Sequence, residues 1–275
     1  MLLTACRILP LKKQTEIEPI WALTEGDSPI VATAIHDGHA VRPELEPFLA
    51  LSDGERLREE DPFTAGWTKV VDTRIVGLRS RFEVDLNRPS DKSIYLKPED
   101  AWGLTVFNKP LPEEIVARTV AEYDAFYLAM HTFFTGLAER HGRFVVLDIH
   151  TYNHRREGPD EKPADSEGNP EVNLGTATMP DRGRFASAVD GFIDDLRAFD
   201  FDGGSLDVRE NVKFKGGNFA AWIHENFPEN ACVLSVEFKK FFMNEWTGLP
   251  DENQVGMIHA GLESTLTGLR EFLKN

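Results

Sequence analysis

The chain has 275 residues, 41% hydrophobic and 28% charged, enough apolar material for one extended α/β domain and too much for wholesale disorder. Its net charge of −16 argues against nucleic acid or an anionic membrane as partner, since both select basic surfaces. Cys6 and Cys232 are the only cysteines, the first residues meet Lys12 and Lys13 before a signal core can form, and no run reaches the roughly 20 apolar residues of a membrane span, so a reducing, cytoplasmic setting is expected.

Residues 30–35 are apolar and β-branched and predict a strand buried on both faces, which His36-Asp37-Gly38 breaks into a turn. The polar, acidic stretch 43–63 predicts a short helix and a loop. Val70-Val71 and residues 81–86 read as further strands, the second stopped by Asn87-Arg88-Pro89. Pro112-Glu113-Glu114 opens a helix whose apolar positions, from Ile115 through Tyr123, Phe126, Met130 and Phe134 to Leu137, keep helical period until His141-Gly142. It feeds a strand over residues 144–149.

Residues 155–170 are rich in Gly, Pro, Asp and Glu without periodicity, a composition suited to a functional lid or to disorder. A short strand at 172–176, an amphipathic helix at 184–199 and a polar turn at 200–204 follow. Residues 212–218 predict a strand running into a helix that continues through Trp222 and His224. A buried strand at 231–237 and a closing helix at 251–273 complete a single domain over residues 1–275. The fold expected is α/β, a mixed, largely parallel central sheet with helices on both faces.

Three of these strands end in chemistry. Parallel strands deliver their carboxyl ends to one crevice, so His36 and His39, His150 and Glu237 can converge although they are far apart in sequence. A lone His36-x-x-His39 turn is better explained by His and Asp side chains capping backbone groups than by metal binding. His150 at the end of a second apolar strand makes a site of three imidazoles, His36, His39 and His150, the stronger reading, with one zinc ion as the fitting metal. His154 is a spare ligand, and Asp148, two residues before His150, points to the same side and would orient an imidazole.

Glu237 ends a buried strand, where a carboxylate needs a partner or a task. A salt bridge to a nearby lysine or arginine would satisfy it; in a zinc hydrolase it would take the proton of the attacking water. Arg79 and Arg81 would share one face of the strand at 81–86, and Arg88 beside Asn87 is suited to gripping a carboxylate through paired hydrogen bonds. Lys213 lies in Lys213-Phe214-Lys215-Gly216-Gly217-Asn218, where two glycines before a helix could offer backbone N–H groups to an anion, although the pattern is not a phosphate loop.

Ile35-His36-Asp37-Gly38, Val84-Asp85-Leu86-Asn87-Arg88, Leu147-Asp148-Ile149-His150-Thr151-Tyr152, Asn173-Leu174-Gly175-Thr176 and Val236-Glu237 together resemble the N-formylglutamate amidohydrolase family, related in fold to zinc carboxypeptidases and aspartoacylase. Asp-Leu-Asn-Arg is the most specific of these segments. The resemblance implies zinc ligation by His36 and His150, Glu237 as general base, Asn87 and Arg88 as the grip on a substrate carboxylate, and Arg81 as the group that polarises the scissile carbonyl. It departs at the second ligand, where the wider carboxypeptidase pattern has His-x-x-Glu and this chain has His39. Either the site is rich in histidine or another carboxylate binds. The implied reaction is hydrolysis of the amide of a small N-acyl amino acid, with peptidase-like release of a C-terminal residue, or metal or ligand binding without catalysis, as the alternatives. Arg79 and Lys213 are further candidate contacts for the substrate.

Overall fold

The computed structural model describes residues 19–274; the N-terminal run that carries Cys6 lies outside them. Seven strands form one mixed sheet in the order β1-β3-β2-β4-β7-β5-β6: β1 (Trp21–Thr24), β2 (Ile30–Ala34), β3 (Thr73–Gly77), β4 (Phe144–Tyr152), β5 (Val172–Gly175), β6 (Val208–Glu210) and β7 (Ala231–Lys239). The central neighbours β3, β2, β4 and β7 run parallel, while β1 joins β3 and β5 joins β7 antiparallel. Parallel strands are covered on both faces, and β2 and β4 are accordingly buried at every position.

Alternation along β4 divides the core. Val145, Leu147 and Ile149 face α4 (Ala186–Ala198) and α6 (Glu252–Lys274) through Val189, Phe192, Leu262 and Leu266. Phe144 and Val146 face α3 (Glu113–His141) and α5 (Asn218–Asn226) through Phe126, Met130, Phe134, Phe219 and Ile223. Each such side chain taken from water contributes roughly 1.5–3 kcal/mol, so the helices are held by the stripe that their periodicity predicts. Two short helices lie between β2 and β3: α1 (Asp53–Glu59) and α2 (Thr64–Trp67). Ser52 and Glu55 close a reciprocal capping box at the start of α1, and Pro62 prevents its continuation beyond Asp61. Among the described residues no helix is long and apolar enough to cross a membrane.

Three expected strands are absent. Val70 ends a 3-10 turn, and the strand begins later, at Thr73. Residues 81–86 alternate apolar and acidic like a strand but form turns, with Glu83 and Val84 N–H groups both donating to the Ser80 carbonyl at 2.9 and 3.2 Å. Their apolar members serve different clusters, Phe82 packing with Tyr95 and Ala101 while Val84 and Leu86 join α3. The acidic members Glu83 and Asp85 are buried as ion partners, a role that strand alternation assigns to solvent. Residues 212–218 are irregular up to α5, and the neighbouring strand is instead β6.

The sheet leads from β2 outward in both directions, to β3 on one side and β4 on the other. That places a switch point between β2 and β4, where an open α/β sheet forms its ligand crevice.

Candidate metal centre

His36 lies two residues beyond the carboxyl end of β2 and His150 near the end of β4, so the two flank the switch point with ring centroids 5.1 Å apart. The third member of the cluster is Asp61, from the loop that follows α1. Asp61 Oδ2 lies 2.9 Å from His150 Nδ1 and 3.4 Å from His36 Nδ1, and Thr151 donates to its other oxygen at 3.0 Å. All three side chains are buried.

Each imidazole turns Nδ1 toward Asp61 and Nε2 toward another buried carboxylate. His36 Nε2 meets Asp85 Oδ1 at 2.7 Å, and His150 Nε2 lies 3.2 Å from Asp148 Oδ2. Thr33 fixes the second carboxylate by donating to Asp148 Oδ1 at 2.7 Å, across the β2–β4 register that pairs these two residues. Both Nδ1 atoms therefore face Asp61, and with Nε2 turned to a carboxylate they would offer their lone pairs to a cation once deprotonated. Donors on a zinc ion at 2.0–2.1 Å stand about 3.3 Å apart in a tetrahedron; the two separations from Asp61, 2.9 and 3.4 Å, are of that size, and all three donor atoms lie within 4.8 Å of one another. Two imidazoles, one carboxylate and an open side fit a catalytic rather than a closed structural site.

The electrostatics favour a cation in the same place. Burial pushes Asp61 up, but hydrogen bonds from His150 and His36 outweigh it and hold the carboxyl well below its usual range. Burial is likewise outweighed at Asp85 by His36 and Arg81, and at Asp148 by His150 and Thr33. His150 is drawn well above the ordinary histidine value because Asp148, Asp61 and Glu237 overcome the burial that opposes its charge. Glu237 is pushed up to about 8 by burial, which His150 only partly offsets. A concentration of buried carboxylates around two imidazoles needs positive charge to be stable.

Above the cluster is a cleft of about 350 Å³ that also reaches Glu237, Arg81, Asn87, Arg88 and Lys213. The parallel register pairs Glu237 directly with His150. Arg81 donates to Asp85 at 2.9 Å and to Tyr95 Oη, and its guanidinium lies over Trp102. The Asn87 Oδ1 accepts from Phe219 N–H at 2.9 Å, so the side chain caps the start of α5. Gly217 is required there, because a Cβ would stand 2.3 Å from the Asn87 amide. Gly217 thus serves the approach of Asn87, while Gly216, at φ +113°, lies against Thr178. Lys213 donates to Asn169, and burial, together with the nearby Arg156, lowers its pKa. Six basic side chains line the cleft against three acids, a local balance opposite to that of the whole chain.

Two expected residues are elsewhere. His39 turns from the cluster to Glu60, with Nδ1 2.5 Å from Oε2, and lines a separate cleft of about 1020 Å³. Gly38 is pressed against the Leu78 backbone, where a Cβ would come within 2.4 Å, and this docking carries the chain away from the cluster of His36, Asp61 and His150 before His39. Arg79 lines that same second cleft, apart from Arg81, because residues 79–84 turn rather than extend. His154 pairs with Glu245.

The sequence reading missed Asp61, Asp85 and Lys240. Glu60-Asp61-Pro62 at the end of a short helix was the available signal for Asp61, but it sits in a segment whose acids look like solvated surface. Asp85 lies inside the most specific motif. Lys240 follows the strand of Glu237 and is 1% exposed.

The N-formylglutamate amidohydrolase family model matches residues 28–242, and the chain belongs to that family. Among solved structures, N-formylglutamate amidohydrolase from Ralstonia eutropha JMP134 is 20% identical with a TM-score of 0.69, over 92% of this chain and 96% of that one. A gene product of Agrobacterium tumefaciens is 16% identical with a TM-score of 0.59, over 92% and 97%. Both share the fold. A putative carboxypeptidase A from Shewanella denitrificans OS-217 matches at a TM-score of 0.42 and 12% identity, over 91% of this chain and 60% of that one. Comparison with curated proteins gave no match.

Proposed function

We propose that this member of the N-formylglutamate amidohydrolase family hydrolyses the amide of a small N-acyl amino acid, N-formylglutamate or a relative, at one zinc ion held by His36, Asp61 and His150. The observation that carries the reading is the pair of imidazoles aimed by Asp85 and Asp148 at a shared carboxylate, with Glu237 beside His150 in the register. Bound there, zinc supplies Lewis-acid polarisation of the carbonyl and acidifies water.

The chain's own groups do the rest. Arg88 with Asn87 receives the substrate carboxylate by charge-assisted hydrogen bonds. Glu237 accepts a proton from the attacking water as its oxygen bonds to the acyl carbon. Arg81 faces the cleft to stabilise the oxyanion that develops. As the C–N bond breaks, Glu237 returns the proton to the leaving amine, giving a carboxylic acid and the free amino acid. The basic lining selects an anion, and the cleft volume suits an acyl amino acid better than an extended peptide. A small intracellular substrate fits the scarcity of cysteine.

The test is metal content and turnover of N-formyl amino acids by wild type and Glu237→Gln. About one zinc per chain in both, with turnover in the variant reduced by roughly 100-fold or more, supports the reading. A wild-type protein that neither retains zinc nor gains activity when zinc is added refutes it.

A further inference from the structure

Of the three donors in the cluster, His150 stands in β4 and His36 on the turn two residues past β2, whereas Asp61 stands in the loop after α1 and is not carried by a sheet strand. Its placement depends on how α1 ends. A helix leaves its last carbonyls without partners and carries partial negative charge there, and α1, with seven residues, is too short to fix its own terminus. The partner comes from across the fold. Lys240 opens the 3-10 turn after β7, three residues beyond Glu237, and its Nζ donates to the carbonyls of Arg58 at 2.5 Å and Glu60 at 2.7 Å. The second carbonyl belongs to the peptide bond that leads into Asp61.

We infer that Lys240 is a positioning residue that ties the loop carrying Asp61 to the strand carrying Glu237, and so sets metal affinity without being a ligand; this rests on the zinc reading above. A buried ammonium is costly, and at a surface position any polar residue could cap the helix. Here the cation lines the cleft itself and is hidden from solvent. Asp61 N–H donates to the His36 carbonyl at 3.0 Å, which fixes the loop on the β2 side. Lys240 fixes it on the β7 side.

Lys240→Met keeps the length of the side chain and removes the donors. Metal-stripped wild type, Lys240→Met and Lys240→Arg would be titrated with zinc against a chromophoric chelator, and with cobalt while following its visible spectrum, after circular dichroism confirms folding. The expected result is zinc binding weakened by roughly tenfold or more in Lys240→Met, a changed cobalt spectrum, and substantial recovery in Lys240→Arg. Leu269→Ala, a core substitution in α6, serves as a control that lowers thermal stability and leaves metal affinity alone. If Lys240→Met does not fold, Lys240→Gln is held to the same criterion. A folded variant that binds zinc as tightly as wild type, with an unchanged cobalt spectrum, overturns the inference and leaves the zinc reading standing. Wild type that binds neither metal overturns both.

Discussion

Asp85→Asn tests the construction of the site most directly, because one buried carboxylate joins three of its functions. Asp85 Oδ1 meets His36 Nε2 at 2.7 Å and accepts the Asn87 N–H at 2.7 Å, while Oδ2 accepts from Arg81 at 2.9 Å and from Tyr95 Oη. Asparagine keeps one oxygen. If that oxygen faces His36 and Asn87, the new NH2 group opposes the half-buried Arg81 guanidinium, donor against donor, and Arg81 is left beside a neutral amide. Breaking a buried pair by removing one partner costs roughly 3–5 kcal/mol, and loss of the carboxylate that orients a metal-bound imidazole typically costs 10–100-fold in affinity. Urea unfolding of the metal-stripped protein reads the first term, and chelator competition for zinc reads the second. Stability within about 0.5 kcal/mol of wild type, with unchanged zinc affinity, would refute the assignment of Asp85 as the hub.

The remaining expectations separate site from scaffold. Asp61→Ala should weaken zinc binding beyond the roughly 100-fold range of outer partners, whereas His39→Ala, whose ring serves Glu60, should leave zinc affinity within the scatter of surface substitutions, about 0.5 kcal/mol; the same competition titration ranks them, and equal losses would mean that His39 belongs to the site. His224 is buried in α5, where its Nε2 accepts the Val233 N–H at 3.1 Å and Nδ1 lies 3.0 Å from Thr178 Oγ1, and burial lowers its pKa to about 4. The unfolded chain takes up this proton near pH 6.5 and the folded protein only near 4, so stability is complete above 6.5 and declines as the pH falls toward 4. The loss is about 3 kcal/mol from this one group. Denaturant midpoints measured from pH 7.5 to 4.5 should slope less in His224→Gln than in wild type, and parallel slopes would sink the assignment.

The fold was legible wherever one residue's environment follows from its neighbours. Apolar runs at 30–35, 144–149 and 231–237 became the central strands, and the periodicity from Ile115 to Leu137 became α3. Sequence patterning failed where burial was bought by ion pairing instead of apolar contact. Glu83 and Asp85 alternate with Phe82, Val84 and Leu86 as a half-exposed strand would, yet Arg42, His36 and Arg81 hold them inside. The site shows the same division. The convergence of His36, His150 and Glu237 on one cleft was legible because strand ends announce themselves. Asp61 was not, because nothing local distinguishes it from Asp53, Glu59 and Glu60; its role arises from contacts with residues 25 and 89 positions away.

The acidity of the chain and the basicity of its cleft are compatible because they act over different distances. At physiological ionic strength exposed charges are screened within about 8 Å, so the surplus of surface carboxylates sets only a weak field at the mouth. Inside, Arg81, Arg88, Arg156 and Lys213 act at contact range and lower dielectric, where a unit interaction is several times stronger. Glu59 occupies Arg156 through contacts at 3.0 and 3.3 Å, and Asp85 occupies Arg81. Arg88 makes one bond to a backbone carbonyl and stacks near Tyr95. It is therefore the arginine least committed to an internal carboxylate, and the one from which an incoming carboxylate displaces the least.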